Sequence, residues 1–169
     1  KFFFHKALHL EDREDVYSRW EMGADKRGQA YHQVLEDFYK ELKRLHITHD
    51  LFDSGVAEYV DRALTKNFTS QSYRDYGIYP VVWELLLSQM RQRLTAFAVA
   101  DIKTLGPFTP SYFERDFSSL SIPGLPFKLR GIMDRIDINL QDKTFIIADY
   151  KSSDQGTKNL AQSFFTYLI

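Results

Sequence analysis

The chain has no cysteine among its 169 residues. That excludes disulfides, thiolate-bound zinc and a cysteine-ligated iron–sulfur cluster within these residues. No apolar run approaches the ~20 residues a membrane-crossing helix needs, so no membrane partner is expected. The opening KFFFHKALHL places Lys1, His5 and Lys6 within six residues, which does not suit a secretory signal. Neither charge sign dominates: 22 basic residues stand against 23 acidic ones, for a net charge of −1. The chain as a whole is therefore not a basic nucleic-acid binder, and any such partner must be met by a local patch. Low-complexity tracts and repeats are absent. The chain starts without Met and ends inside an apolar run, so we expect a single domain, 1–169, cut from a larger protein.

What is present is concentrated near the C-terminal end. Gly131-Ile-Met-Asp134-Arg135-Ile-Asp137 is followed by Ile146-Ile-Ala-Asp149-Tyr150-Lys151. The segment from Phe127 to Leu140 alternates and is rich in Ile, which predicts a strand. Ile132, Asp134, Ile136 and Ile138 then share a face. An isolated carboxylate within that aliphatic stripe is costly to desolvate, so Asp134 needs a proton, a cationic partner or a metal. Thr144 to Lys151 predicts a second strand, with Asp149 and Lys151 emerging together at its end. The polar turn 139–143 pairs the two strands antiparallel and can bring Asp134 and Asp149 to one sheet edge. Two carboxylates and a lysine at one edge suit Mg²⁺ or Mn²⁺, which prefer oxygen ligands. Such an ion activates water and offsets phosphate charge, while a lysine orients the water or stabilises the transition state. The alternative is a pair of buried salt bridges, Asp134 with Arg135 or Arg130 and Asp149 with Lys151.

GIMDRIDI followed by IIADYKSS resembles motifs II and III of the PD-(D/E)xK nuclease superfamily, with the RecB- and AddB-like nuclease domains as the branch most resembled. The likeness extends upstream: an aromatic start, then Arg27-Gly28 and His32, then Leu35-Glu-Asp-Phe-Tyr39, and Glu114 in YFERDF where the family has a strand glutamate. The resemblance implies a metal-dependent DNA exonuclease leaving 5′-phosphate ends. It also implies a helicase domain or subunit as partner, a role in DNA repair and recombination, and a cytoplasmic location. Asp134, Asp149, His32 and the backbone carbonyl of Tyr150 would hold the metal, Lys151 would serve catalysis, and Glu114 would support the site. Relatives follow Asp-x-Lys with Gln-x-x-x-Tyr on a helix. Here Gln162 and Tyr167 lie five apart, so either Gln162 is the motif residue or Ser163 stands in its place. Arg27, Arg130, Arg135 and Lys158 are candidate DNA contacts. A catalytically silent DNA-binding remnant, an endonuclease or junction resolvase of the same superfamily, and a purely structural domain are the competing readings.

The expected fold class is α/β with a restriction-endonuclease-like core. A helical half covers about 1–105 and a strand-rich half about 111–169. Helices are predicted over 26–45 (stripe Tyr31, Leu35, Phe38, Leu42, Leu45), 54–67 and 80–102. Gly28 stands one turn before His32, leaving room for the imidazole to reach the sheet edge. Pro80 suits a first turn. Three antiparallel strands, a helix over 158–169 and a last strand beyond Ile169 would complete the core.

Overall fold

A computed structural model of the chain describes residues 20–47, 51, 53–70, 72–121, 126, 128–151 and 161–168; of Ser54, Ser118, Leu120, Leu129, Lys151 and 161–168 it describes the backbone alone. The aromatic opening segment and the segment 12–19 lie outside the described residues.

Helix α1 (Ala24–Leu45) buries Tyr31, Val34, Leu35, Phe38, Tyr39 and Leu42, the three-and-four spacing that places side chains on one helix face. Asp25 in its first turn and Lys43 and Arg44 in its last suit the helix dipole. His46 ends it in the left-handed conformation. α2 (Asp53–Asn67) packs Val56, Val60, Ala63 and Leu64 against the core. A short α3 (Tyr73–Tyr76) follows. There Tyr76 stacks on Trp83, with ring centroids 5.2 Å apart. α4 (Pro80–Thr104) starts on Pro80 and buries Trp83, Leu87, Met90, Leu94, Ala98 and Ile102. Full burial of one such large apolar side chain contributes roughly 1.5–3 kcal/mol, so among the described residues the helices carry most of the hydrophobic stabilisation.

Four strands follow: β1 (Thr109–Ser121), β2 (Lys128–Asn139), β3 (Thr144–Lys151) and β4 (Ala161–Leu168). They form one antiparallel sheet in the order β1-β2-β3-β4. The helices-then-antiparallel-strands order agrees with the restriction-endonuclease-like expectation.

Two expectations are corrected here. Residues 161–168 form β4, paired along β3, instead of the expected helix. The segment AQSFFTYL is rich in aromatic residues and Thr, which favour strands, and a short apolar run does not distinguish the two periods. The inward face of β2 is also not the Ile-rich stripe. Arg135, Asp137 and Asn139 are buried, whereas Ile132 is 62% exposed. Polar side chains can face inward because they satisfy one another. Arg135 uses its five N–H donors on Asp101, Asp137 and the Tyr150 hydroxyl, at 2.7–3.3 Å. Its guanidinium also lies 4.2 Å from the centre of the Tyr39 ring, and the Tyr39 hydroxyl donates to Asp101. This buried network ties α1, α4, β2 and β3 together.

Candidate metal centre

β2 and β3 pair from Asn139↔Thr144 to Arg135↔Ala148. Two residues beyond Ala148 the Tyr150 N–H donates to Asp134 Oδ2 at 2.6 Å. The Tyr150 carbonyl accepts from His32 Nε2 at 3.0 Å. Both backbone groups of Tyr150 are therefore held by side chains at this end of the ladder. With Nε2 donating, the other ring nitrogen, Nδ1, is turned toward two carboxylates, 3.5 Å from Asp134 Oδ1 and 3.8 Å from Glu114 Oε1. His32 reaches there from α1, where Gly28 one turn earlier lines the same open cleft of 790 Å³.

Glu114 joins by an unusual backbone. Its φ of 45° lies in the left-handed region, in the middle of β1, where a non-glycine residue is rare and costs of order 1–3 kcal/mol. Such an outlier marks a functional position more often than an ordinary strand residue does. Here it accompanies a carboxylate brought to the cluster.

Among the described residues the cluster sets two carboxylates beside one imidazole. Asp134 is only 9% exposed. Its hydrogen bond raises the pKa of His32 above the ordinary histidine value, against partial burial, which lowers it. Burial raises the pKa of Glu114, and the Asp134 charge adds to that. A divalent cation relieves both effects. The donor set fits one: a ring nitrogen and two carboxylate oxygens lie within 4.8 Å of one another. Oxygen donors suit Mg²⁺ or Mn²⁺, and one imidazole is compatible with Mn²⁺.

The sequence candidates divide accordingly. His32 and Asp134 lie in one group, and Glu114, assigned a supporting part, stands in it with them. Asp149 lies outside that group of three, half-buried on β3 opposite Ser163. Lys151 ends β3, opposite Ala161; its side chain is outside the described ones, as is all of Lys158. Gln162 stands opposite Tyr150, and Tyr167 opposite Phe145 at the far end of β4. The two are separated along a strand and do not share a helix face. Arg27 is half-buried in the first turn of α1, and Arg130 is exposed on β2. Arg135 corrects the DNA-contact expectation. It is 0% exposed and ion-paired to Asp101 and Asp137, so it reaches no phosphate. Its ion pairs go to Asp101 and Asp137, not to Asp134, which was one of the two pairings the salt-bridge alternative offered for Asp134. Sequence reasoning missed Asp101 and Tyr39, which hold Arg135. A lone Asp late in an apolar helix was the available signal.

The sequence matches the PD-(D/E)XK nuclease superfamily over residues 1–167. The chain belongs to that superfamily. A comparison with curated proteins finds no match. The superfamily implies a nuclease acting on DNA with a divalent metal, and the cluster described above is a group of the required kind. Among the described residues no helix is long and apolar enough to cross a membrane.

Glu114→Asn tests whether the strained backbone serves the metal. Asn tolerates the left-handed region and carries no charge to repel Asp134. Metal-free stability should rise by about 1 kcal/mol, or roughly 2–4 °C in melting temperature for a chain of this size. Mn²⁺ affinity should fall on the order of tenfold or more if the Glu114 carboxylate serves the metal. Thermal melts with EDTA and with Mn²⁺ check both.

Proposed function

We propose that this chain is a metal-dependent DNA exonuclease domain of the RecB-like type, working beside a helicase domain or subunit in cytoplasmic DNA repair and recombination. The observation that carries the reading is the convergence of His32, Glu114 and Asp134 on one point, beside a Tyr150 whose N–H and carbonyl are both captured. His32, Glu114 and Asp134 would hold Mg²⁺ or Mn²⁺, with Asp149 and the Tyr150 carbonyl as further donors. The ion supplies charge neutralisation at the phosphate and activation of water. Lys151 orients the attacking water and offsets charge in the transition state. Water attacks in line, the 3′ oxygen leaves and takes up a proton, and the product carries a 5′-phosphate. Arg27, Arg130 and Lys158 contact the DNA backbone, and Gln162 supports the site from β4 beside Tyr150. The histidine-bearing helical segment ahead of the sheet favours the exonuclease over the endonuclease branch.

Cleavage of end-labelled linear and covalently closed circular DNA, with Mn²⁺ or with EDTA, tests this reading. Metal-dependent shortening of the linear strand with the circle intact is expected. Cutting of the circle would assign an endonuclease, and no cutting by the folded chain would sink the nuclease reading.

A further inference from the structure

A second groove adjoins the metal cleft. Glu36 lines the cleft with His32 and Glu114, and Lys40, one helical turn on, is bonded to Glu36 at 2.5 Å. From there a depression of 490 Å³ continues between α1 and β1, lined by Lys40, Lys43, Arg44, His46 and Phe113. Phe113 is its β1 wall, and the neighbouring Tyr112, 47% exposed, lies at its edge beside Lys43. Lys43 Nζ lies 5.6 Å from the centre of that ring and the Arg115 guanidinium 5.8 Å. Lys43 is held there by donating to the Ser111 carbonyl at 2.6 Å. Lys40 and Arg44 are paired with Glu36 and Glu41. Among the described residues, Lys43 and Arg115 have no carboxylate partner. In a chain of net charge −1, two such cations flanking one exposed aromatic ring are a local departure. Tyr112 lies two residues from Glu114, roughly 7 Å along the strand.

We propose that this groove is the track for a single DNA strand running away from the metal cleft, with one unpaired base stacked on Tyr112 and the flanking phosphates on Lys43 and Arg115. An aromatic face accepts any base, and cations without a carboxylate partner take phosphates without reading sequence. A duplex keeps its bases stacked internally and offers Tyr112 none. An acidic protein partner would use the cations but not the ring face. The inference rests on the nuclease reading for its substrate and adds a binding site outside the metal cluster.

The test is fluorescence anisotropy of a labelled oligothymidylate in EDTA, with cleavage by the wild type in Mn²⁺ assayed in parallel. Tyr112→Ala should weaken binding of the single strand on the order of tenfold, Tyr112→Phe should retain it, and blunt duplex affinity should not change. Lys43→Gln/Arg115→Gln should lower the salt dependence, by about 0.7 in log–log slope for each phosphate no longer bound. A wild type that cleaves, but whose single-strand affinity is untouched by either change, overturns the track and leaves the nuclease standing. An equal weakening on duplex from Tyr112→Ala also overturns it. A wild type that neither cleaves nor binds marks failure of the nuclease reading itself.

Discussion

Asp134→Asn should abolish metal-dependent cleavage while the fold survives, if the proposed site is the active one. The substitution is chosen because the amide oxygen can still accept the Tyr150 N–H that Asp134 accepts at 2.6 Å. Asp134→Ala would orphan that N–H at a cost of about 1–3 kcal/mol and mix a structural defect with the chemical one. In the Asn variant the buried carboxylate charge is lost, and with it one of the two anionic groups of the cluster. A metal's charge stabilisation is worth several kcal/mol, and each ~1.4 kcal/mol is tenfold in rate. The loss should therefore be on the order of 10³-fold or more. The metal-free melting temperature should stay within a few degrees of wild type, because the Asp134 repulsion that adds to burial in raising the pKa of Glu114 is removed as well. Circular dichroism melts beside the cleavage assay separate the two effects. A folded Asp134→Asn protein with wild-type activity would remove Asp134 from the site.

Arg135→Met, by contrast, should unfold more than it inactivates. Arg135 lies between Asp101 and Asp137 with both carboxylates buried. Removing the cation leaves two buried acids facing each other. Burial already raises the pKa of Asp137, with Arg135 opposing it. Breaking a buried ion pair from one side typically costs about 3–5 kcal/mol. For a domain of this size that is roughly 10 °C or more in melting temperature. Neutralising all three residues at once, as Asp101→Asn/Arg135→Met/Asp137→Asn, should recover a large part of the loss, since no uncompensated charge remains. Urea denaturation measures both variants. A single variant that loses under about 1 kcal/mol would mean that the network is not the brace between helices and sheet described here.

These two neighbours, Asp134 and Arg135, show what can be read from the sequence. Asp134 is legible because strand alternation puts a carboxylate in an apolar run, and such a group must find a counter-charge. The spacing to Asp149 and Lys151, with His32 and Glu114 upstream, then points to the chemistry. Arg135 reads as a candidate DNA contact because only one of its acidic partners, Asp137, is local, while the other, Asp101, is 34 positions away in α4 and no local pattern announces it. The same network reverses the expected inward face of β2. Glu114 falls on the expected strand, but its left-handed backbone, and so its entry into the cluster, depends on where β1 meets β2. The helices are legible from their apolar spacing, with Pro80 marking one start. β4 is not, because a short aromatic run reads as either element until a neighbouring strand offers its edge.

Calorimetric titration of Mn²⁺ into the wild-type chain and its His32→Ala, Glu114→Gln and Asp134→Asn variants tests the central claim most directly. The account predicts a single site in the wild type that weakens in all three variants and is lost in Asp134→Asn. A folded wild type that binds no Mn²⁺, or an Asp134→Asn chain that binds it undiminished, would contradict the claim that these three side chains form the metal centre.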